Sequence, residues 1–134
     1  MLLIAAVIVA PGCSGPGAPP PANQQHIEIV AGWYEYYRTK NGNKPPPNEG
    51  AFVAYIEREL KDRGQTVDTQ ELLTSPRDSQ KYVVRYGAPN STSRERNVAV
   101  YEREGYDGKK WLAFENKWSE EVDEAKLQEY LARK

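Results

Sequence analysis

Residues 110–122 read KWLAFENKWSEEV, and this stretch decides the fold. Side chains alternate in size and polarity through Lys110–Glu115 and again through Trp118–Val122, a period of two that belongs to strands. Asn116-Lys117 between them is too short for anything but a tight turn, so the two runs form an antiparallel hairpin. Upstream, Lys81–Tyr86 and Asn97–Arg103 carry the same pattern, rich in Val and Tyr, and Tyr106-Asp107-Gly108 supplies a second hairpin turn. Four strands in a row, the last three joined by short returns, make an antiparallel meander.

Outward from the meander the period changes to that of a helix. Ile27, Val30, Trp33, Tyr34 and Tyr37 recur at three- and four-residue intervals behind Asn23, which has the chemistry of an N-cap. Asn41-Gly42 ends that helix and Pro45-Pro46-Pro47 prevents its return. Asn48 caps a second helix striped by Phe52, Tyr55, Ile56 and Leu60, and Gly64 closes it. Asp68-Thr69-Gln70-Glu71 has capping-box spacing and starts a short turn carrying Leu72 and Leu73. Beyond the meander, Asp123 caps a last helix with Leu127, Tyr130 and Leu131 inward. The expected fold class is α+β: N-terminal helices packed on a four-stranded antiparallel β-meander, with a short C-terminal helix.

The first 24 residues have another character. Leu2–Ala10 is apolar and uncharged, and Pro11-Gly12 leads to Cys13, the single cysteine of the chain. Nine apolar residues span about 14 Å as a helix, too little to cross a bilayer but right for a signal peptide core. A lone cysteine in an exported protein has no internal disulfide partner, and acylation accounts for both its solitude and its position. The expectation is a signal peptide at 1–12, a lipidated Cys13 opening a Pro-rich tether at 13–24, and one α+β domain at 25–134. That places a lipoprotein on a bacterial envelope membrane, its domain outside the cytoplasm. The tether, SGPGAPPPANQ, would reach about 30 Å if extended.

The formal net charge of −1 creates no field that would draw the chain to nucleic acid. Chemical equipment is sparse: one histidine, His26, expected as a solvated helix-end residue, and one cysteine leave no zinc constellation, so no metal or cofactor is expected. Glu115 and Glu120 flank the Asn116-Lys117 turn, the only carboxylate pair with a glycosidase-like placement. Strict alternation puts Val83, Val98, Val100, Leu112 and Phe114 on one sheet face and Tyr82, Tyr86, Ala99, Tyr101, Trp111 and Ala113 on the other. The aromatic face has two readings: a helix covers it, or Tyr82, Tyr101 and Trp111 form a binding platform for cell-wall glycan. The connection Gly87–Arg96 is long and polar, and its Arg94 and Arg96 suit an interface with a partner's carboxylates. The preferred functional expectation is a non-enzymatic, membrane-anchored interaction module with an envelope protein partner; the alternative is a glycan-binding or glycan-modifying module.

The middle of the chain resembles the periplasmic part of type II secretion pseudopilins and related pilin-like proteins. Tyr34-x-x-Tyr37-x-x-Lys40-Asn41-Gly42 followed by Pro45-Pro46 is similar to the family's Tyr…Asn-Gly…Tyr-Pro segment. Ser75-Pro76-Arg77-Asp78-Ser79-Gln80-Lys81-Tyr82 stands where the family turns into its sheet, and Gly105-Tyr106-Asp107-Gly108 resembles a later hairpin. The likeness covers roughly residues 27–115 and implies a pilin-like fold, with association with a secretion or pilus-like assembly as the expectation that follows from it. A lipid signal stands where that family has its basic leader and long apolar helix. Only Asp107 falls in the family's calcium hairpin, so the resemblance carries no metal here.

Overall fold

The computed structural model describes residues 22–87 and 97–133. Helix α1 (Ala22–Lys40) is followed by α2 (Glu49–Asp62), the one-turn α3 (Thr69–Leu72), strands β1 (Val83–Val84), β2 (Val98–Tyr101), β3 (Lys109–Phe114) and β4 (Ser119–Asp123), and α4 (Glu124–Leu131). The strands form one antiparallel sheet in chain order, β1-β2-β3-β4, so the α+β architecture read from the sequence is the observed one. No helix among the described residues is long and apolar enough to cross a membrane.

Each helix boundary has a local cause. Asn48 accepts the Ala51 N–H and starts α2; Asp68 accepts the Gln70 and Glu71 N–H groups and starts α3; Asp123 accepts the Lys126 N–H and starts α4. These bonds satisfy donors that a helix leaves free at its first turn, each worth about 1 kcal/mol. Gly64, at φ +69, reverses the chain after α2, and Gln65 N–H closes onto the Leu60 carbonyl. Asn23 departs from expectation. It lies inside α1, buried, because its amide finds partners in the sheet rather than on its own helix.

The larger core lies between α1, α2 and the sheet. Ile27, Val30, Ala31 and Tyr34 of α1 meet Phe52 and Ile56 of α2 and Tyr82, Val84, Val100 and Trp111 of the sheet. Burying each large side chain here contributes roughly 1.5–3 kcal/mol. A smaller core on the opposite face joins Val98, Leu112, Phe114 and Val122 to Leu127 of α4, with Tyr101 and Tyr130 at its edge.

Strict alternation fails in β2. Val98 pairs with Phe114, but Val100 pairs with Ala113 and Tyr101 with Leu112, so the register shifts between Val98 and Val100. Ala99 and Val100 both join the larger core, and Tyr101 turns to the α4 side. A bulge of this kind adds one residue to one strand and changes which face later residues occupy. Strand β1 is also shorter than Lys81–Tyr86. Tyr82 N–H is taken by the Leu73 carbonyl and Gly87 N–H by the Pro46 carbonyl, so the ends of that segment pair outside the sheet.

The β2–β3 turn has a strict requirement. Asp107 and Gly108 both have positive φ (52° and 74°), and Tyr106 and Lys109 exchange backbone bonds of 2.9 and 3.0 Å. At Gly105, φ +74, an added Cβ would stand 2.1 Å from the Lys109 carbonyl oxygen, so only glycine fits.

Candidate functional site

The candidate site is α1 itself, whose inner and outer faces carry opposite chemistries. On the inner face, the first polar feature is Glu102 at the end of β2, fully buried. Its carboxylate accepts five hydrogen bonds. Oε2 takes Asn23 Nδ2 at 2.8 Å, the Ser75 hydroxyl at 2.9 Å and Arg77 Nε at 3.3 Å; Oε1 takes Arg77 Nη2 at 2.7 Å and the Trp111 N–H at 2.6 Å. A buried carboxylate is tolerated only with such pairing. The Ser75–Asp78 turn presents these donors. Asp78 fixes the turn by accepting the Gln80, Glu104 and Gly105 N–H groups; burial works against its charge, but these bonds prevail and hold the carboxyl below its usual value. Burial likewise opposes the charge on Arg77, yet its bonds to Glu121 and Glu102 hold the guanidinium above its ordinary value.

A second clasp closes the other end of the same face. Arg38, in the last turn of α1, pairs with Glu115, both almost fully buried. Asn97 Nδ2 also donates to Glu115 at 3.2 Å, and Arg38 Nε donates to the Asn43 carbonyl at 3.2 Å. Glu120, the expected companion of Glu115, instead accepts the Tyr130 hydroxyl at 2.8 Å. It stands opposite Leu112 in the ladder, on the α4 side, while Glu115 turns toward α1. The two carboxylates therefore share no cleft, and the glycosidase-like pair is not formed.

His26 is not a free helix-end residue. Its Nδ1 lies 2.8 Å from the Tyr82 hydroxyl, the rings stack at 5.7 Å, and burial lowers the imidazole pKa against the opposing pull of Glu71. It borders an open cleft of about 490 Å³ beside α3, lined also by Glu71, Thr74 and Ser75. The Ser75 hydroxyl is already given to Glu102, so neither residue stands as an activated nucleophile with a base beside it.

The outer face of α1 carries an apolar stripe. Ile29 is 53% exposed, and Gly32, Trp33 and Tyr36 continue the stripe along a shallow cleft of about 240 Å³. Arg63, just past α2, lies over the Trp33 and Tyr36 rings at 5.9 and 5.8 Å, and Lys40 stands over Tyr36 at 5.6 Å. The other flank is the β3–β4 hairpin. There Glu28 accepts the Ser119 hydroxyl, Lys117 Nζ approaches Glu35 at 3.7 Å, and Trp118 is 71% exposed at the tip. An exposed aliphatic group beside half-buried rings in a shallow cleft has the composition of contact surfaces.

The sequence-level site residues separate. Tyr82 and Trp111 are buried against α1, whereas Tyr101 packs on the α4 side, so the three form no common platform. A helix covers the aromatic sheet face. Trp111 Nε1 is buried without a hydrogen-bond partner among the described residues, another sign that the indole serves packing. Cys13, Arg94 and Arg96, with most of the Gly87–Arg96 connection and the signal segment, lie outside the described residues; the last residues assigned to the tether, Ala22–Gln24, belong to α1. Sequence reasoning missed the outer stripe because it followed the dominant helical period. Ile29 and Gly32, both off that period in a helix otherwise polar on its far side, were the available signal. No metal-ligand cluster of three or more His, Cys, Asp or Glu occurs among the described residues. No family profile matches the chain, and neither a curated protein nor a solved structure matches it.

Proposed function

We propose that this chain is a non-catalytic docking module, held on a bacterial envelope membrane through lipid on Cys13, that binds protein through the outer face of α1. The observation that carries the reading is the Ile29–Trp33–Tyr36 stripe, in which an exposed Ile29 continues along a shallow cleft into the half-buried Trp33 and Tyr36 rings. Glu102 and Glu115 stabilise the attachment of α1 to the sheet, so they are committed to structure. What remains at the surface with large contact area and little entropy to lose is aromatic. The anchor is supported by the Leu2–Ala10 run and the solitary Cys13. A pilin-like relationship is part of the same proposal, supported by the order of helices, Ser75–Asp78 turn and meander.

A photo-reactive side chain at position 29, in cells, tests the docking face. Discrete protein adducts are expected from position 29 and none from position 125 on α4. Absence of adducts at 29, with the chain intact in membranes, would overturn the reading. Intact mass of the wild-type mature protein tests the anchor separately: it should begin at an acylated Cys13, and a mature form starting elsewhere would refute it.

A further inference from the structure

We propose that the occupant of the outer face of α1 is a second copy of this chain, packed with the two α1 helices parallel about a two-fold axis. This rests on the docking reading and names its partner. At about 100° per residue, Ile29 and Tyr36 point along one line of the helix, with Trp33 displaced to one side and Gly32 to the other. A parallel two-fold axis along that line sets Trp33 of each copy over Gly32 of the other. Gly32 is the point of lowest relief: an added Cβ would meet only the flexible Lys117 side chain, at 3.5 Å. The stripe thus carries both a projection and the gap that receives it, which a self-matching interface requires.

Charge selects the parallel arrangement over the antiparallel one. Arg63 lies on the α2 flank, at the level of Trp33 and Tyr36, and forms no ion pair among the described residues. Glu28 and Glu35 lie on the hairpin flank. An axis parallel to the helices brings opposite flanks together, so Arg63 of one copy meets Glu35 of the other, twice. An antiparallel pair centred on the stripe would bring like flanks together, Glu28 of each copy against Glu35 of the other, which is repulsive. Parallel helices also start at the same end, so both chains enter the pair from one side, as two lipids in one membrane demand. The stripe is small, and confinement to a membrane supplies the effective concentration that a modest interface needs.

The experiment uses the full chain in membranes with Ile29→Cys, mild oxidation and non-reducing gels. Ile29 residues of the two copies flank the axis, so a covalent dimer is expected, while Ala125→Cys on α4 should give none. Adding Arg63→Glu should lower the dimer yield at least tenfold, and Arg63→Glu with Glu35→Arg should restore it. Wild-type chain is the control for Cys13: a dimer there reports a free thiol and removes the anchor, not the interface. The Ile29→Cys yield is then read in a Cys13→Ser background at high concentration. Failure of Ile29→Cys to cross-link in chain shown folded by circular dichroism would overturn the pairing. Equal yields in the single and double charge variants would overturn the parallel geometry. Position-29 photo-adducts confined to a different protein would overturn self-association and leave the docking reading standing.

Discussion

The two faces of α1 each depart from the usual distribution of side chains, the inner one by two polar residues buried at the ends of an apolar row and the outer one by an apolar stripe. Inside, Asn23 and Arg38 reach into the sheet and bond to the buried carboxylates of Glu102 and Glu115; outside, Ile29 meets solvent and the Trp33 and Tyr36 rings are half-buried. Burial of charge is costly and exposure of apolar groups gains nothing by itself. The contrast teaches that inner polarity sets where α1 sits, with a bond at each end, and that the outer apolar surface is not explained by folding.

The inner face should break hardest. Arg38→Met leaves Glu115 buried without its cation and should cost about 3–5 kcal/mol in urea unfolding. Adding Glu115→Leu should recover most of that loss, since replacing both members of a buried pair is far milder than removing one. Glu102→Ala belongs to the same class, about 3–5 kcal/mol, because it abandons Arg77, Ser75 and Asn23 together. If Glu102→Ala cost under 1 kcal/mol, the carboxylate would not organise α1 as described.

Smaller effects sharpen the contrast. Asn23→Ala removes one donor to that carboxylate and should cost about 1–3 kcal/mol. His26 comes next. Its folded pKa is below the usual 6.5, so the unfolded chain binds more protons in that window. Its contribution is therefore full above pH 6.5 and lost as pH falls through the lowered folded value. Unfolding midpoints should decline from pH 7.5 to 5, and His26→Asn should flatten that decline. Ile29→Glu should lie at the bottom of the series, within about 0.5 kcal/mol of wild type, while abolishing contact at position 29. A large stability loss there would mean that the outer face belongs to the fold after all.

Much of the fold was legible because its signals are local. Asn48, Asp68 and Asp123 cap where their chemistry says, and Asp107-Gly108 turns where two positive φ angles are needed. The site was less legible because it depends on long-range geometry. Nothing around Asn23 or Glu102 in sequence announces a bond across 79 positions, and the local chemistry of Asn23 is that of a capping residue. The bulge after Val98 is equally silent, yet it moves Tyr101 away from Tyr82 and Trp111 and dissolves the aromatic platform. Glu115 reads in sequence only as a partner for Glu120 across a turn, because its cation, Arg38, sits at the far end of the chain's first helix.

Asn23 sits one residue inside the first turn of α1, and its amide holds Glu102. Any tension on the chain upstream of Ala22 enters the domain at that bond. Displacing α1 along its own axis must disturb both the Glu102 and the Glu115 clasps, one at each end of the helix. The carboxylate that fixes the position of the helix is therefore also its fastening at the point where the chain enters the domain.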